Sequence, residues 1–151
     1  MSFVILVMEK RIWDSLRRKY VAFTPEEQVR QWFISVLKDV CGVPEHLMGS
    51  EVPLKIGAKR QRADIVVFGR DASPVAVVEC KRPDVEIDAD VLAQAARYNL
   101  SLDIRWIFLT NGRRTVALKR MEDGSLVNLP ALPGYEEMAA GKVSAGGTES
   151  V

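Results

Sequence analysis

Histidine and cysteine are nearly absent from this chain: His46 stands alone, and Cys41 and Cys80 are the two thiols in 151 residues. A metal site built from several imidazoles is excluded, and His46 reads as a loop residue. Nothing in the pattern asks for a disulfide. Cys80 lies inside an apolar run and Cys41 at a helix end, which reads as reduced thiols in a cytoplasmic protein. Charge of one sign is lacking too, since the formal net charge is +1. That gives no global pull toward a polyanion, so any such contact has to come from local patches. Two patches exist: Lys10, Arg11, Arg17, Arg18 and Lys19, then Lys55, Lys59, Arg60 and Arg62. Clusters of this kind are ordinarily solvated surface. A long apolar run is also missing. The start, Phe3 to Met8, is too short for a membrane span and lacks the basic region and cleavage site of a signal peptide. No membrane association is expected.

What is present is a single-domain balance, with 48% hydrophobic and 27% charged residues. Residues 1–23 read as an N-terminal arm or short helix, because Ile12, Trp13, Leu16 and Tyr20 fall loosely at helical spacing. The main domain is expected over 24–130. It opens with Thr24-Pro25-Glu26-Glu27, a capping threonine, a proline at the first helical position and a capping-box glutamate. Val29, Trp32, Phe33, Val36, Leu37 and Val40 then repeat as one apolar stripe, ending near Cys41-Gly42. Glu26 lies about 50° from the centre of that stripe, whereas Glu27 falls on the far side. Strands are expected at 51–56, 62–69 and 74–81, a helix at 88–102, and strands at 104–109 and 115–119. Residues 131–151, rich in proline and then in Ala, Gly and Ser, read as a flexible tail. The order predicts an α/β (α+β) fold with a mixed sheet flanked by helices.

Alternation along a strand puts Glu79 and Lys81 on one face with Val75 and Val77, and Asp64 on one face with Val66 and Phe68. If the two runs pair as a hairpin, Asp64 lies near Glu79 and Lys81 at one end of an apolar sheet. Such charges are costly there unless something binds them. A hard divalent cation such as Mg²⁺ suits the two carboxylates, with the backbone carbonyl of Cys80 as a third oxygen. Lys81 would then orient an attacking water and offset developing charge, an arrangement suited to phosphodiester hydrolysis. The simpler reading of the same charges is an ion pair at a sheet edge.

The segments TPEEQVRQ (24–31), KRQRADIVVF (59–68), VVECKRP (77–83), QAARYN (94–99) and LTNG (109–112) together resemble the N-terminal nuclease domain of type I restriction enzyme R (HsdR) subunits. That domain belongs to the PD-(D/E)xK nuclease superfamily. The resemblance implies a restriction-endonuclease-like αβββαβ core and a Mg²⁺-dependent (or Mn²⁺-dependent) endodeoxyribonuclease. By it Asp64 and Glu79 become the metal-binding acids and Lys81 the catalytic lysine, with Glu26 or Glu27 as the helix acid some members use. Gln94 and Tyr98 match a Q-xxx-Y element and fall on one helix face, and Lys59, Arg60, Arg62 and Tyr98 are the candidate DNA contacts. DNA, restriction-modification subunits or a second copy of the chain are the implied partners. Ala63 stands where the superfamily name has proline. No GxxxxGK[ST] loop is present, so this chain carries no ATP-driven motor. The competing expectation is a non-catalytic nucleic-acid-binding or assembly subunit that keeps the fold.

Overall fold

A computed structural model of the chain describes residues 10–56, 59–99 and 103–140. The apolar start at 3–8, Gly57-Ala58, Leu102 and the tail beyond 140 lie outside the described residues.

The first described element corrects the expectation of a helix. Strands β1 (Arg11–Asp14) and β2 (Lys19–Ala22) form an antiparallel hairpin, with Trp13 opposite Tyr20 and Asp14 opposite Lys19. Helical spacing of the large residues was coincidental, because a turn intervenes: Asp14 accepts the Leu16 N–H through Oδ1 at 3.1 Å and the Arg18 N–H through its carbonyl at 2.7 Å. An aspartate that bonds backbone two residues on favours a turn over a helix.

Helix α1 (Pro25–Asp39) begins where the cap is written, with Thr24 Oγ1 accepting the Glu27 N–H at 3.1 Å. Val29, Phe33, Ile34 and Leu37 are buried, while Trp32 and Val40, placed on the stripe by spacing, are exposed. Each buried large side chain contributes about 1.5–3 kcal/mol. The helix thereby locks onto the sheet along one narrow seam.

That sheet has six strands in the order β3 (Met48–Ile56), β4 (Lys59–Phe68), β5 (Pro74–Cys80), β6 (Trp106–Thr110), β7 (Thr115–Arg120) and β8 (Leu126–Leu129). Neighbours are antiparallel except β5 and β6, which run parallel. A parallel neighbour needs a crossover, supplied by helix α2 (Ala89–Asn99). All five residues of β6 are buried, as its unbroken apolar run implies. Phe33 and Leu37 share one core with Ile65, Val78 and Phe108, whereas Ala95 of α2 packs with Leu109 and Val116 on the opposite face.

Two departures come from packing. The register shifts between Val67 and Phe68, so Val75 leaves the face of Val77 and joins the cluster under α1. Residues 135–140, expected in a flexible tail, form helix α3 (Tyr135–Ala140). Tyr135 and Met138 are buried in the core, and the Tyr135 hydroxyl donates to the Phe68 carbonyl at 2.9 Å. Among the described residues no helix is long and apolar enough to cross a membrane.

Candidate active site

The ends of β4 and β5 open into a groove of about 410 Å³ lined by Glu26, Arg62, Asp64, Glu79, Cys80 and Lys81, with apolar walls from Leu54, Val77 and Ile107. Pairing explains the convergence. Ile65 faces Val78 and Val66 faces Val77, so one step further along the strands sets Asp64 against Glu79. The Asp64 Oδ2 accepts the Cys80 N–H at 2.7 Å, which fixes the carboxylate across the strand pair. Lys81 lies one residue beyond β5, held by its N–H donating to the Thr110 carbonyl at 2.8 Å. Its ammonium pairs with Glu79 Oε1 at 3.0 Å, both side chains about one-third exposed.

Burial pushes the Asp64 carboxyl up from an ordinary 3.8 to about 6, with Glu26 and Glu79 adding to the rise; the Cys80 N–H and Arg30 pull it down. The Cys80 thiol is raised well above its usual range, chiefly by burial, so it is an inert side chain beside a useful carbonyl.

The two candidate helix acids separate. Glu26 lines the groove. Glu27, placed on the far side of the stripe by spacing, is buried, because the β1–β2 hairpin covers that side of α1. It is bound by Arg17 at 2.7 Å and lies 3.6 Å from Arg30. Gln94 is exposed on α2 and is not among the lining residues. The backbone at Tyr98 is helical, and its side chain lies outside the described residues. Lys59 and Arg60 sit at the start of β4, Arg60 exposed, while Arg62 reaches the groove wall.

Arg30 was not anticipated. It is 5% exposed, 3.7 Å from Asp64 Oδ1 and 3.4 Å from Glu51, and it donates to Ser50 Oγ at 3.1 Å. Glu51 adopts φ +53 inside β3, a strained conformation for a side-chain-bearing residue. Arg17, Arg30 and Arg62 all lie within ion-pair distance of it. A row of alternating charges thus runs from Asp14 and Arg17 through Glu27 and Arg30 to Asp64. Spacing offers only a weak sign of it: Arg30 lies about 40° from Glu26 on the helical wheel, at the edge of the apolar stripe.

Hard oxygen donors, a strand-end carbonyl and an open rim fit a divalent ion. Among the described residues no three His, Cys, Asp or Glu side chains gather to hold one alone, so a cation here would draw further oxygens from backbone, water or substrate.

A mixed six-stranded sheet flanked by helices, with Asp64, Glu79 and Lys81 brought together at one end, defines an α+β protein. Residues 25–133 match the family described as type I restriction enzyme R protein N terminus (HSDR_N), and the chain belongs to that family. It is similar to the solved fragment of a Vibrio vulnificus YJ016 protein assigned as an HsdR subunit of a type I restriction enzyme, at 21% identity and a TM-score of 0.54. The match covers 75% of this chain but 24% of that one. A DUF820 protein from Anabaena variabilis ATCC 29413, assigned as a nuclease, is similar at 13% identity and a TM-score of 0.48, over 89% of this chain and 86% of that one. No curated protein matches the chain.

Proposed function

We propose that the chain is a Mg²⁺-dependent endonuclease that hydrolyses DNA phosphodiester bonds in restriction-modification. The observation that carries this reading is the single groove in which Glu26, Asp64, Glu79 and Lys81 meet. Asp64, Glu79 and the Cys80 carbonyl would hold the cation, and Mg²⁺ (or Mn²⁺) bound there would supply polarisation of the scissile phosphate and a lowered water pKa. Lys81 exchanges its contact with Glu79 for the attacking water, orients it in line with the phosphorus and offsets the charge that builds on the phosphate oxygens. Glu26, on the helix above, accepts a hydrogen bond from that water. Arg62 and Arg60, with Lys59, contact the flanking phosphates. Asp64 must lose its proton to hold the cation, so metal affinity is expected to weaken as pH falls below about 6 and binding to release a proton there.

Assembly with other restriction-modification subunits in the cytoplasm is part of this proposal, and membership of the type I restriction enzyme R protein N terminus family supports it. Supercoiled plasmid with Mg²⁺ or Mn²⁺ tests the chemistry. Wild type is expected to nick it, and Lys81→Ala to lose at least about a hundred-fold in rate with an unchanged circular dichroism spectrum. Salt-dependent DNA binding without cleavage by either metal would instead leave a binding or assembly subunit.

A further inference from the structure

The basic cluster at residues 10–19 plays no part in the groove, yet it is carried by a defined element. Cross-strand pairing places Trp13 and Tyr20 side by side on the outward face of the β1–β2 hairpin, their rings edge to face with centroids 5.2 Å apart. They are 51% and 63% exposed, whereas Asp14 on the inward face is fully buried. Strand alternation puts Arg11 on their face and Lys10 and Lys19 on the Asp14 side; all three are exposed, as is Arg18 in the connecting turn. Asp14 is the one acid between residues 10 and 22, and Arg17 holds it. Glu45, which also feels Arg18, is paired with Lys38 at 2.8 Å.

Two large exposed rings on a small hairpin whose edges and turn carry exposed cations suit a ligand that has flat π faces and a run of negative charge. Nucleic acid with unpaired bases meets both requirements, since bases stack on aromatics while phosphates take the cations. A folded protein partner would not need so uniform a charge. The hairpin is also tied to the groove. Arg17 bonds Glu27 of α1 at 2.7 Å and reaches Glu51 of β3 at 3.4 Å. Glu51 in turn lies 3.7 Å from Arg62 on the groove wall.

We propose that the β1–β2 hairpin is a nucleic-acid platform on which Trp13 and Tyr20 stack unpaired bases while Lys10, Arg11, Arg18 and Lys19 hold the adjacent phosphates. Its link to cleavage rests on the nuclease reading, but its test does not. The intact chain is titrated in EDTA, where no metal-dependent hydrolysis occurs, against a fluorescein-labelled single-stranded oligonucleotide and its duplex, followed by anisotropy over a salt series. Trp13→Ala/Tyr20→Ala is expected to weaken single-strand binding by about ten-fold or more and duplex binding much less, with the salt slope kept. Arg11→Glu/Lys19→Glu is expected to weaken both and flatten the slope. The conservative Trp13→Phe/Tyr20→Phe is expected to keep most of the affinity, which separates stacking from a folding defect.

Wild-type single-strand affinity in the Ala double variant, or equal losses for both DNA forms, would overturn the platform. So would a Trp13 shielded from acrylamide in the free protein, as when residues 3–8 or another protein surface cover it. A Lys81→Ala protein that binds normally and does not cut keeps the platform. A hairpin variant that binds normally and still cuts removes it and leaves the nuclease reading standing.

Discussion

Asp64 carries the sharpest consequence of its surroundings. Its carboxyl is raised to about 6 because burial outweighs the Cys80 N–H and Arg30, so the folded protein holds this proton more tightly than the unfolded chain does. The stability this provides is complete below about pH 4 and is lost as pH rises through 6. Asp64→Asn keeps an acceptor for the Cys80 N–H and removes the buried charge. In metal-free buffer it is therefore expected to stabilise the fold at pH 8 by about 1–2 kcal/mol and to have little effect at pH 4, while abolishing cleavage. Urea unfolding at the two pH values checks this, and a variant less stable than wild type at pH 8 would refute it. Arg30 limits the size of the effect, since its guanidinium is buried between Glu27, Glu51 and Asp64. Removing it strands those acids, so Arg30→Met is expected to cost about 3 kcal/mol or more. The acid, acid and lysine pattern was legible because alternation depends on sequence spacing alone. Arg30 was not, because an arginine at the edge of a stripe reads as surface until a strained neighbour such as Glu51 turns back to meet it.

Elements were legible in proportion to how local their determinants are. Helix α1 is specified within its own residues by Thr24, Pro25 and the apolar stripe, and it forms where those signals lie. The β1–β2 hairpin was misread because four large residues at near-helical spacing concealed the Asp14 turn. Helix α3 was misread because it spans only six residues after a proline-rich stretch, too short to form on propensity alone. It owes its existence to long-range contacts. The Tyr135 N–H donates to the Cys41 carbonyl at 2.7 Å, and Met138 is sealed in the core under α1 and the sheet. Truncating these anchors is therefore expected to cost more than removing the local cap. Met138→Ala is expected to lose about 2–5 kcal/mol, and Thr24→Ala about 1 kcal/mol. Denaturant titrations of the two variants check the order, and the reverse order would mean that α3 is an ornament on the sheet rather than part of it.

At the scale of the molecule, the parallel step between β5 and β6 governs where chemistry can sit. The strand order runs in sequence across the whole sheet, yet only the β5–β6 step requires a crossover helix, so the C-terminal end of β5, at Cys80 and Lys81, is free of a hairpin turn. That leaves an open rim between α1 and β4, and the groove occupies it. The sheet's end strands, β3 and β8, bring no second acid, acid and lysine set among the described residues. On the proposed nuclease reading, one chain would therefore cut one strand per encounter. A double-strand break then needs two encounters or two chains bound together, since the antiparallel strands of a duplex present their phosphates in opposite polarity. On supercoiled plasmid at limiting protein, nicked circles are expected to accumulate first, with linear DNA appearing after a lag and more than in proportion to protein concentration. Linear product from the earliest time points, with no nicked intermediate and a first-order dependence on protein, would show instead that the chain acts as a preformed dimer with two grooves facing one duplex.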